Sequence, residues 1–159
     1  MSGLPAPFVS LRPVEDADLP LFFAWQADEE SFRMAGVPSR DEEAFAAHWA
    51  RNRSNPANTM RTIVADGVVV GNVVSWSGDE GRMVGYWVGK EHWGRGIASA
   101  ALRLYLDVDR HRPMLATVAE HNAGSRRVLE KAGFQLVSQK LVDDGPEAGV
   151  IGLMEFRLD

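Results

Sequence analysis

An apolar run that leads into a glycine-rich turn and then a helix is the feature that most constrains this chain. Residues 84–99 read Val-Gly-Tyr-Trp-Val-Gly-Lys-Glu-His-Trp-Gly-Arg-Gly-Ile-Ala-Ser. Beyond the turn, apolar residues at helical spacing predict a helix with one buried side, formed by Ile97, Ala101, Leu104, Tyr105 and Val108. Gly94 and Gly96 let a ligand approach the backbone, and the free N–H groups of a first helical turn attract anions. The stretch therefore predicts a strand, a phosphate-binding loop and a helix.

A second helix with its own start and stop signals lies further along the chain. Residues 122–134 read Asn-Ala-Gly-Ser-Arg-Arg-Val-Leu-Glu-Lys-Ala-Gly-Phe. Asn122 is a preferred N-cap residue, and Gly133 is a typical helix stop. The i, i+3, i+4, i+7 spacing places Ser125 on the buried face of this helix, together with Val128, Leu129 and Ala132.

Together, the two stretches resemble the GCN5-related N-acetyltransferase (GNAT) family. The family's acetyl-CoA loop has the form Gln/Arg-x-x-Gly-x-Gly/Ala, which residues 93–98 match everywhere except at Trp93. This tryptophan and the pattern Asn-x-x-Ser-x-x-x-x-Glu-Lys-x-Gly-Phe are similar to the branch of the ribosomal-protein N-terminal acetyltransferases. The predicted element order, β α α β β β α β α β β, also matches the family, so the resemblance covers nearly the whole chain.

The resemblance implies an α/β (α+β) fold, with a single GNAT domain over residues 1–159. The expected sheet is mixed and mostly antiparallel, has about seven strands, and carries helices on both faces. Alternating β-rich runs predict strands at residues 8–13, 59–65, 68–76, 82–88, 113–118, 134–142 and 150–158. In the family, the strands that correspond to residues 82–88 and 113–118 splay apart, and acetyl-CoA enters between them.

Local signals mark several turns and helix starts. Asp66-Gly67 predicts a two-residue hairpin. Asp16 or Asp18 can cap a first helix, and Ser39 with Glu42 has the spacing of a capping box for the next helix. Between these helices, residues 28–38 correspond to one wall of the acceptor site in the family, although a solvated connection is an equal alternative.

The resemblance also assigns cofactor contacts. The pyrophosphate of CoA would rest on the backbone N–H groups of the loop and first helical turn, which belong to Gly94, Arg95, Gly96, Ile97, Ala98 and Ser99. The pantetheine arm would pair with the backbone of Trp87 and Val88, and the Val88 N–H could hold the oxyanion of the attacked thioester. Asn122 would bond the pantetheine amide; the alternative is that it serves only as an N-cap. Ser125 would reach the departing thiolate; the alternative is that it only bonds a backbone carbonyl.

The acid and the base of this site do not follow from the two motifs. Many relatives carry a tyrosine as the acid, but the matching residue here is Leu129, which has no proton to give. Relatives often place a catalytic glutamate on the strand at residues 82–88, where this chain has no carboxylate. The candidate bases are Glu80, Glu91, Glu120, His121 and Asp144. None is singled out by its spacing, and for each of them the sequence favours a solvated surface position.

The strength of base that is needed depends on the acceptor. A lysine amine with a pKa of about 10.4 requires about 4.6 kcal/mol to lose its proton at pH 7, whereas an α-amine near 7.8 requires about 1 kcal/mol. Since no base stands out, the sequence favours a peptide or protein N-terminus as the acceptor. An amine-bearing small molecule is the alternative that the sequence leaves open.

Composition excludes several classes of function. The chain has no cysteine, which excludes disulfides, thiolate metal sites and a cysteine acyl-enzyme. His48 and His92 lack metal-ligand spacing, so no metal is expected, and both are interpreted as surface residues. The net charge of −5 disfavours nucleic acid as a partner. No apolar run is long enough to span a membrane and no signal peptide is visible, so a cytoplasmic protein is expected. The family resemblance allows a homodimer.

Two other functions compete with direct acetyl transfer. A non-catalytic acyl-CoA-binding sensor or interaction module is compatible with the missing tyrosine acid and the unplaced base. A nicotinamide enzyme is suggested by the Gly-x-Gly spacing, but that fingerprint belongs to the first βαβ unit of a parallel sheet. Here two hairpin-linked strands are predicted before the loop.

Overall fold

Seven strands form one sheet in this computed structural model, which describes residues 6–143 and 149–159. The strands are β1 (Val9–Arg12), β2 (Thr59–Ala65), β3 (Val68–Ser77), β4 (Arg82–Val88), β5 (Met114–Ala119), β6 (Gln135–Asp143) and β7 (Val150–Leu158). Their order across the sheet is β1-β2-β3-β4-β5-β7-β6. All neighbours are antiparallel except β4 and β5, so the predicted mixed, mostly antiparallel sheet is confirmed.

Five α-helices connect and cover these strands within the described residues. They are α1 (Leu19–Ala27), α2 (Glu29–Ala35), α3 (Glu42–Ser54), α4 (Ile97–Val108) and α5 (Ala123–Lys131). Two short 3-10 turns, Asp16–Asp18 and Lys90–His92, precede α1 and follow β4. None of the described helices combines the length and the apolar character needed to cross a lipid bilayer.

The sheet separates two hydrophobic cores, because successive side chains of a strand point to opposite faces. Val73 of β3 packs in a core with α4 and α5, and the next residue, Val74, packs in a second core with α1 and α3. Tyr105 is fully buried in the first core, and the rings of Phe22 and Trp49 pack against each other in the second. The predicted helices on both faces are therefore confirmed.

The central strands splay apart, as the resemblance implied. β4 and β5 pair in register only at Arg82 with Met114 and at Met83 with Leu115. Beyond Met83 the two strands diverge, which leaves one edge of β4 without a strand partner. The sheet therefore contains a gap that opens toward the loop before α4.

The Asp66-Gly67 hairpin is confirmed. Both residues have positive φ, 50° and 81°, as the two-residue turn between β2 and β3 requires.

Asp18 occupies the N-cap position of α1 as predicted, but without a side-chain hydrogen bond, and the predicted Ser39 cap of α3 is wrong. α3 begins two residues later than the Ser39 capping box implies, and its N-cap is Asp41, whose carboxylate accepts from the Ala44 N–H. The buried carboxylate of Asp18 instead binds Arg12 through two hydrogen bonds of 2.8 Å, because neutralising a buried charge outweighs capping a helix end.

Two other expectations change. Residues 28–38 contain the helix α2, which starts at an Asp28 cap and ends at Gly36 in the left-handed conformation. On α4, Leu104 and Val108 are exposed and the buried stripe passes through Leu102 instead. The buried side of α4 is therefore rotated toward Leu102. This rotation is determined by the elements that pack against the helix.

Candidate functional site

A cleft of about 520 Å³ lies where β4 and β5 separate. Its walls come from four parts of the chain: α2, the end of β4 with the following loop, the first turn of α4, and the segment that leads into α5. The lining residues include Ser31, Met34, Tyr86, Trp87, Val88, His92, Trp93, Gly94, Gly96, Ile97, Ala98, Ser99, His121, Asn122, Ser125, Arg127 and Lys131. Every predicted site residue except Arg95 lines this cleft.

The N-terminus of α4 forms one end of the cleft. Gly96 is the N-cap of the helix with φ of 76°, and Gly94 has φ of 78°. A Cβ added at either position would meet no atom within 4 Å, so the backbone is open to an incoming group. The N–H groups of Ile97, Ala98 and Ser99 belong to the first turn and have no carbonyl one turn earlier to bond. This end of the cleft therefore fits a phosphate.

Basic side chains add to this anion-binding character. Arg127 and Lys131 of α5 line the cleft. Arg95 points elsewhere, since its guanidinium lies 3.7 Å from the Asp66 carboxylate of the β2–β3 hairpin. Arg95 can therefore contribute a backbone N–H to the loop, as predicted, but its side chain does not line the cleft.

The free edge of β4 presents backbone groups to the cleft in alternation. The Arg82 N–H donates toward β5, to the Pro113 carbonyl at 3.3 Å, whereas the Gly89 N–H donates to Val70 of β3 at 2.9 Å. By the period of two, the N–H and C=O of Val88 face the gap and those of Trp87 face β3. The predicted backbone pairing of Trp87 is thus not available, because its polar groups belong to the ladder with β3. Trp87 lines the cleft with its other atoms.

Trp93, which departs from the family's loop pattern, has a clear structural role. Its indole Nε1 donates to the Val88 carbonyl at 2.9 Å. The first residue of the loop motif is therefore tied to the last residue of β4. This bond fixes the loop against the strand edge that lines the cleft.

Asn122 caps α5. Its Oδ1 accepts from the backbone N–H of Ser125 at 3.2 Å, in the N-cap geometry that the sequence predicted. Because the side chain also lines the cleft, capping leaves its amide group at the cleft wall.

Ser125 lies beside a residue that the sequence interpretation missed. The hydroxyl of Tyr86 is 2.7 Å from Ser125 Oγ and 3.2 Å from the Ser125 carbonyl oxygen. Burial raises the pKa of Tyr86 to about 12, although the hydrogen bond with Ser125 acts in the opposite direction. A signal existed: the period-two pattern of β4 puts Tyr86 on the same face as Val84, toward α4 and α5.

Leu129 cannot take part in proton transfer, for steric as well as chemical reasons. Its side chain is 1% exposed and packs in the core between α5 and the sheet. It is not among the residues that line the cleft.

Among the candidate bases within the described residues, His121 alone lines the cleft. Its Nε2 lies 2.8 Å from the Arg33 carbonyl, at the end of α2. A carbonyl can only accept, so Nε2 carries the hydrogen and the neutral ring has its lone pair on Nδ1. His121 therefore offers a proton acceptor at the cleft.

The other candidate bases lie elsewhere. Glu91 accepts from the Trp25 indole at 2.9 Å, Glu80 lies in the turn between β3 and β4, and Glu120 lies against Gly152 of β7. Asp144 is outside the described residues. The interpretation of His92 as a surface residue was wrong, since its side chain is 18% exposed, lines the cleft and packs edge-on against Trp25.

Among the described residues, no three His, Asp or Glu side chains are arranged to hold a metal ion.

Comparisons with known proteins agree with this architecture. The family model of the acetyltransferase (GNAT) domain matches residues 9–135. The probable N-acetyltransferase YjcK of Bacillus subtilis is 47% identical over 55 residues, which make up 32% of this chain and 30% of that protein. The chain thus matches less than a third of the length of this curated relative.

Solved structures share the fold. Spermidine N-acetyltransferase from Vibrio cholerae, in complex with CoA and spermine, superposes with a TM-score of 0.81 at 13% identity and 94% coverage of each chain. Mycobacterium smegmatis RimJ, in complex with a CoA-disulfide, superposes with a TM-score of 0.72 at 25% identity, over 96% of this chain and 83% of that chain. The family model covers well over half of the sequence, and so the chain belongs to the acetyltransferase (GNAT) family.

Proposed function

We propose that this protein transfers an acetyl group from acetyl-CoA directly to a primary amine, and that the acceptor is the α-amine of a peptide or protein N-terminus. The observation that carries the proposal is the gap between β4 and β5, which opens onto the glycine-lined N-terminus of α4. Solved structures with this fold include a spermidine acetyltransferase in complex with CoA and RimJ in complex with a CoA-disulfide.

Acetyl-CoA, when bound, supplies an acetyl thioester whose carbonyl carbon accepts the amine. The N–H groups of Ile97, Ala98 and Ser99 would hold its pyrophosphate, with added charge from Arg127 and Lys131. Asn122 would bond the pantetheine amide with the part of its side chain that the cap leaves free.

The free edge of β4 would stabilise the charge that develops on the carbonyl oxygen. The Val88 N–H faces the gap, and the Trp93 indole holds the same residue by its carbonyl. A preorganised oxyanion donor of this kind contributes roughly 3–4 kcal/mol in enzymes where it has been removed. The orientation of Val88 supports the catalytic role that we propose for it.

His121 would accept the proton of the attacking amine on Nδ1. The Arg33 carbonyl holds the ring by Nε2, so the tautomer with a basic Nδ1 is favoured before the amine arrives. Ser125, across the cleft wall on α5, would supply a proton to the departing sulfur. No covalent acyl-enzyme is required, which agrees with a chain that has no cysteine.

An α-amine acceptor follows from the modest base. A single imidazole is well matched to an amine that is partly neutral at pH 7, whereas a lysine side chain is almost wholly protonated there. The α2 wall adds Ser31, Met34 and Ala35 to the cleft, none of which is charged. This wall suits a short, uncharged N-terminal residue better than a polycation.

The proposal is tested by following thiol release from acetyl-CoA with peptides that carry free or blocked N-termini, aminoglycosides and polyamines. Turnover with free N-termini that is lost on blocking supports it. A clear preference for polyamines or lysine side chains at pH 7 would overturn the choice of acceptor. Acetyl-CoA binding without turnover on any amine would favour the sensor alternative, with which the buried Leu129 is compatible.

Two further expectations remain proposals. We place the reaction in the cytoplasm, a reducing compartment in which a chain without cysteine is at no disadvantage. The homodimer is tested by light scattering on the purified protein across a range of concentrations. A molar mass that stays at 17.5 kDa would exclude it.

A further inference from the structure

The hydroxyl groups of Tyr86 and Ser125 form a pair on the wall of the cleft. Tyr86 reaches across from β4 to α5, and its oxygen lies 2.7 Å from Ser125 Oγ. Both residues line the cleft, and the tyrosine ring packs against the core beneath it. The pair therefore sits where the sheet gap meets the helix that carries Asn122.

The distances from the Tyr86 hydroxyl to its two possible acceptors indicate where the hydrogens of the Tyr86 and Ser125 hydroxyls lie. Tyr86 can donate its single hydrogen to Ser125 Oγ at 2.7 Å or to the Ser125 carbonyl at 3.2 Å. The shorter contact is the better hydrogen bond. When Tyr86 donates to Oγ, the Ser125 hydroxyl hydrogen is left free to turn into the cleft. At neutral pH Tyr86 keeps its hydrogen, because burial raises its pKa to about 12.

We propose that Tyr86 is a positioning residue that orients the Ser125 hydroxyl as the proton donor to the departing thiolate. The inference rests on the proposed acetyl transfer and names the residue that makes Ser125 effective in it. It accounts for a chain whose α5 carries a buried leucine where many relatives have a tyrosine acid. The phenol is supplied from the neighbouring strand, one hydrogen bond away.

The amine nitrogen bonds to the carbonyl carbon and gives up one proton, while the carbon–sulfur bond breaks and the sulfur keeps the electron pair. Ser125 passes its hydroxyl proton to the sulfur and receives the proton of Tyr86. Tyr86 then takes a proton from water, and His121 releases to water the proton that it accepted from the amine. No other reactant is consumed.

β4 carries both the proposed oxyanion donor and the tyrosine that orients Ser125. Val88, the proposed oxyanion donor, and Tyr86 are two residues apart on the same strand, which is roughly 6.6 Å along its length. The backbone of one residue and the side chain of the other therefore reach the cleft from one rigid element. A rigid strand keeps such groups in place better than a loop does.

The kinetic test compares Tyr86→Phe with Tyr105→Phe in the full-length protein. These are the two tyrosines of the chain, and Tyr105 is buried away from the cleft with its hydroxyl on the Thr59 carbonyl. Tyr86→Phe should lower kcat about 10-fold with little change in the KM for acetyl-CoA, a smaller effect than removing a full acid–base group. Tyr105→Phe should leave kcat unchanged in protein that is still folded.

A double variant tests whether Tyr86 acts through Ser125 or independently of it. If Tyr86 acts through Ser125, then Tyr86→Phe combined with Ser125→Ala should be no slower than Ser125→Ala alone. If the fold-losses in kcat of the two single variants multiply in the double variant, the inference is overturned, because the two hydroxyls then act separately. Ser125→Thr, which keeps a hydroxyl, should retain most of the activity that Ser125→Ala loses.

A spectroscopic test does not depend on turnover. In Tyr105→Phe the phenolate absorbance reports Tyr86 alone, and it should appear far above pH 10, in the range where circular dichroism shows that the fold persists. Adding Ser125→Ala should raise the midpoint further, since the hydrogen bond that lowers the pKa is lost. An unchanged midpoint would overturn the pairing of the two hydroxyls.

The outcomes distinguish this inference from the proposed function. Wild-type turnover that Tyr86→Phe leaves unchanged would overturn the role of Tyr86 alone. Wild-type protein that binds acetyl-CoA but acetylates no amine would overturn the proposed function and this role with it.

Discussion

Arg82, the first residue of β4, and Asp109, the residue that follows α4, form a buried ion pair at the closed end of the split sheet. Arg82 Nε lies 2.7 Å from Asp109 Oδ2, and the two side chains are 6% and 1% exposed. Arg82 is also one of the two β4 residues in register with β5. The pair therefore joins the strand edge to the end of α4 at the point where β4 and β5 begin to separate.

Breaking this pair should be costly. Removing one partner leaves an uncompensated buried charge, which typically costs about 3–5 kcal/mol. We expect Asp109→Asn to lower the free energy of unfolding by an amount in that range, measured by urea denaturation. The matched control is Asp107→Asn, whose carboxylate is 82% exposed and lies 3.8 Å from Arg110. Equal losses in the two variants would show that burial of the pair contributes nothing.

Stability should fall in acid, with a contribution from Asp18. Burial alone would raise the pKa of Asp18, but hydrogen bonds from Arg12, the Glu15 N–H and Thr62 outweigh it and lower the pKa to about 2. A lowered pKa contributes stability that is present above the unfolded value near 4 and is lost as the pH falls toward 2. Asp18→Asn should remove about 2 kcal/mol at pH 7 and flatten the curve below pH 4. An unchanged acid slope in the variant would contradict this.

A side chain at Gly96 should abolish binding of acetyl-CoA. The residue caps α4 at positive φ beside open space, so a valine there would strain the backbone and occupy the room that a phosphate needs. Gly67→Val is the control, because Gly67 has φ of 81° and equally open surroundings but does not line the cleft. Calorimetry should show lost affinity in Gly96→Val only. Retained affinity would remove the phosphate assignment from the loop.

Loss of His121 should slow the acetylation of a strongly basic amine more than that of a weakly basic one. We expect His121→Ala to lower kcat about 100-fold at pH 7 on a lysine-like amine, and less on an α-amine, since general base catalysis typically contributes about 10² to 10⁴. Raising the pH should recover part of the loss, because the amine then loses its proton without help. His48→Ala, on α3 and away from the cleft, should have no effect. A uniform loss that no pH restores would argue for a structural role of His121.

Local chemistry allowed much of the fold to be predicted from the sequence. The bounds of β2 and β4 were predicted to the residue, because alternating β-branched runs end at strong turn signals such as Asp66-Gly67. Gly94 and Gly96 marked the start of α4, and Asn122 marked the cap of α5. Each of these signals acts within a few residues, so no distant contact was needed to interpret it.

The tertiary structure decided what depends on distant partners. Asp18 binds Arg12 and makes no side-chain hydrogen bond to the end of α1, and α4 buries Leu102 where the sequence predicted Leu104. In both cases burial and ion pairing outweigh local preferences. Tyr86 and Ser125 are 39 residues apart in the chain, yet the fold brings their hydroxyls into contact. His121 differs from the other candidate bases only in its place at the cleft. The sequence alone therefore indicated the family, all seven strands and every α-helix except α2, whereas the packing of distant elements determined which side chains meet at the site.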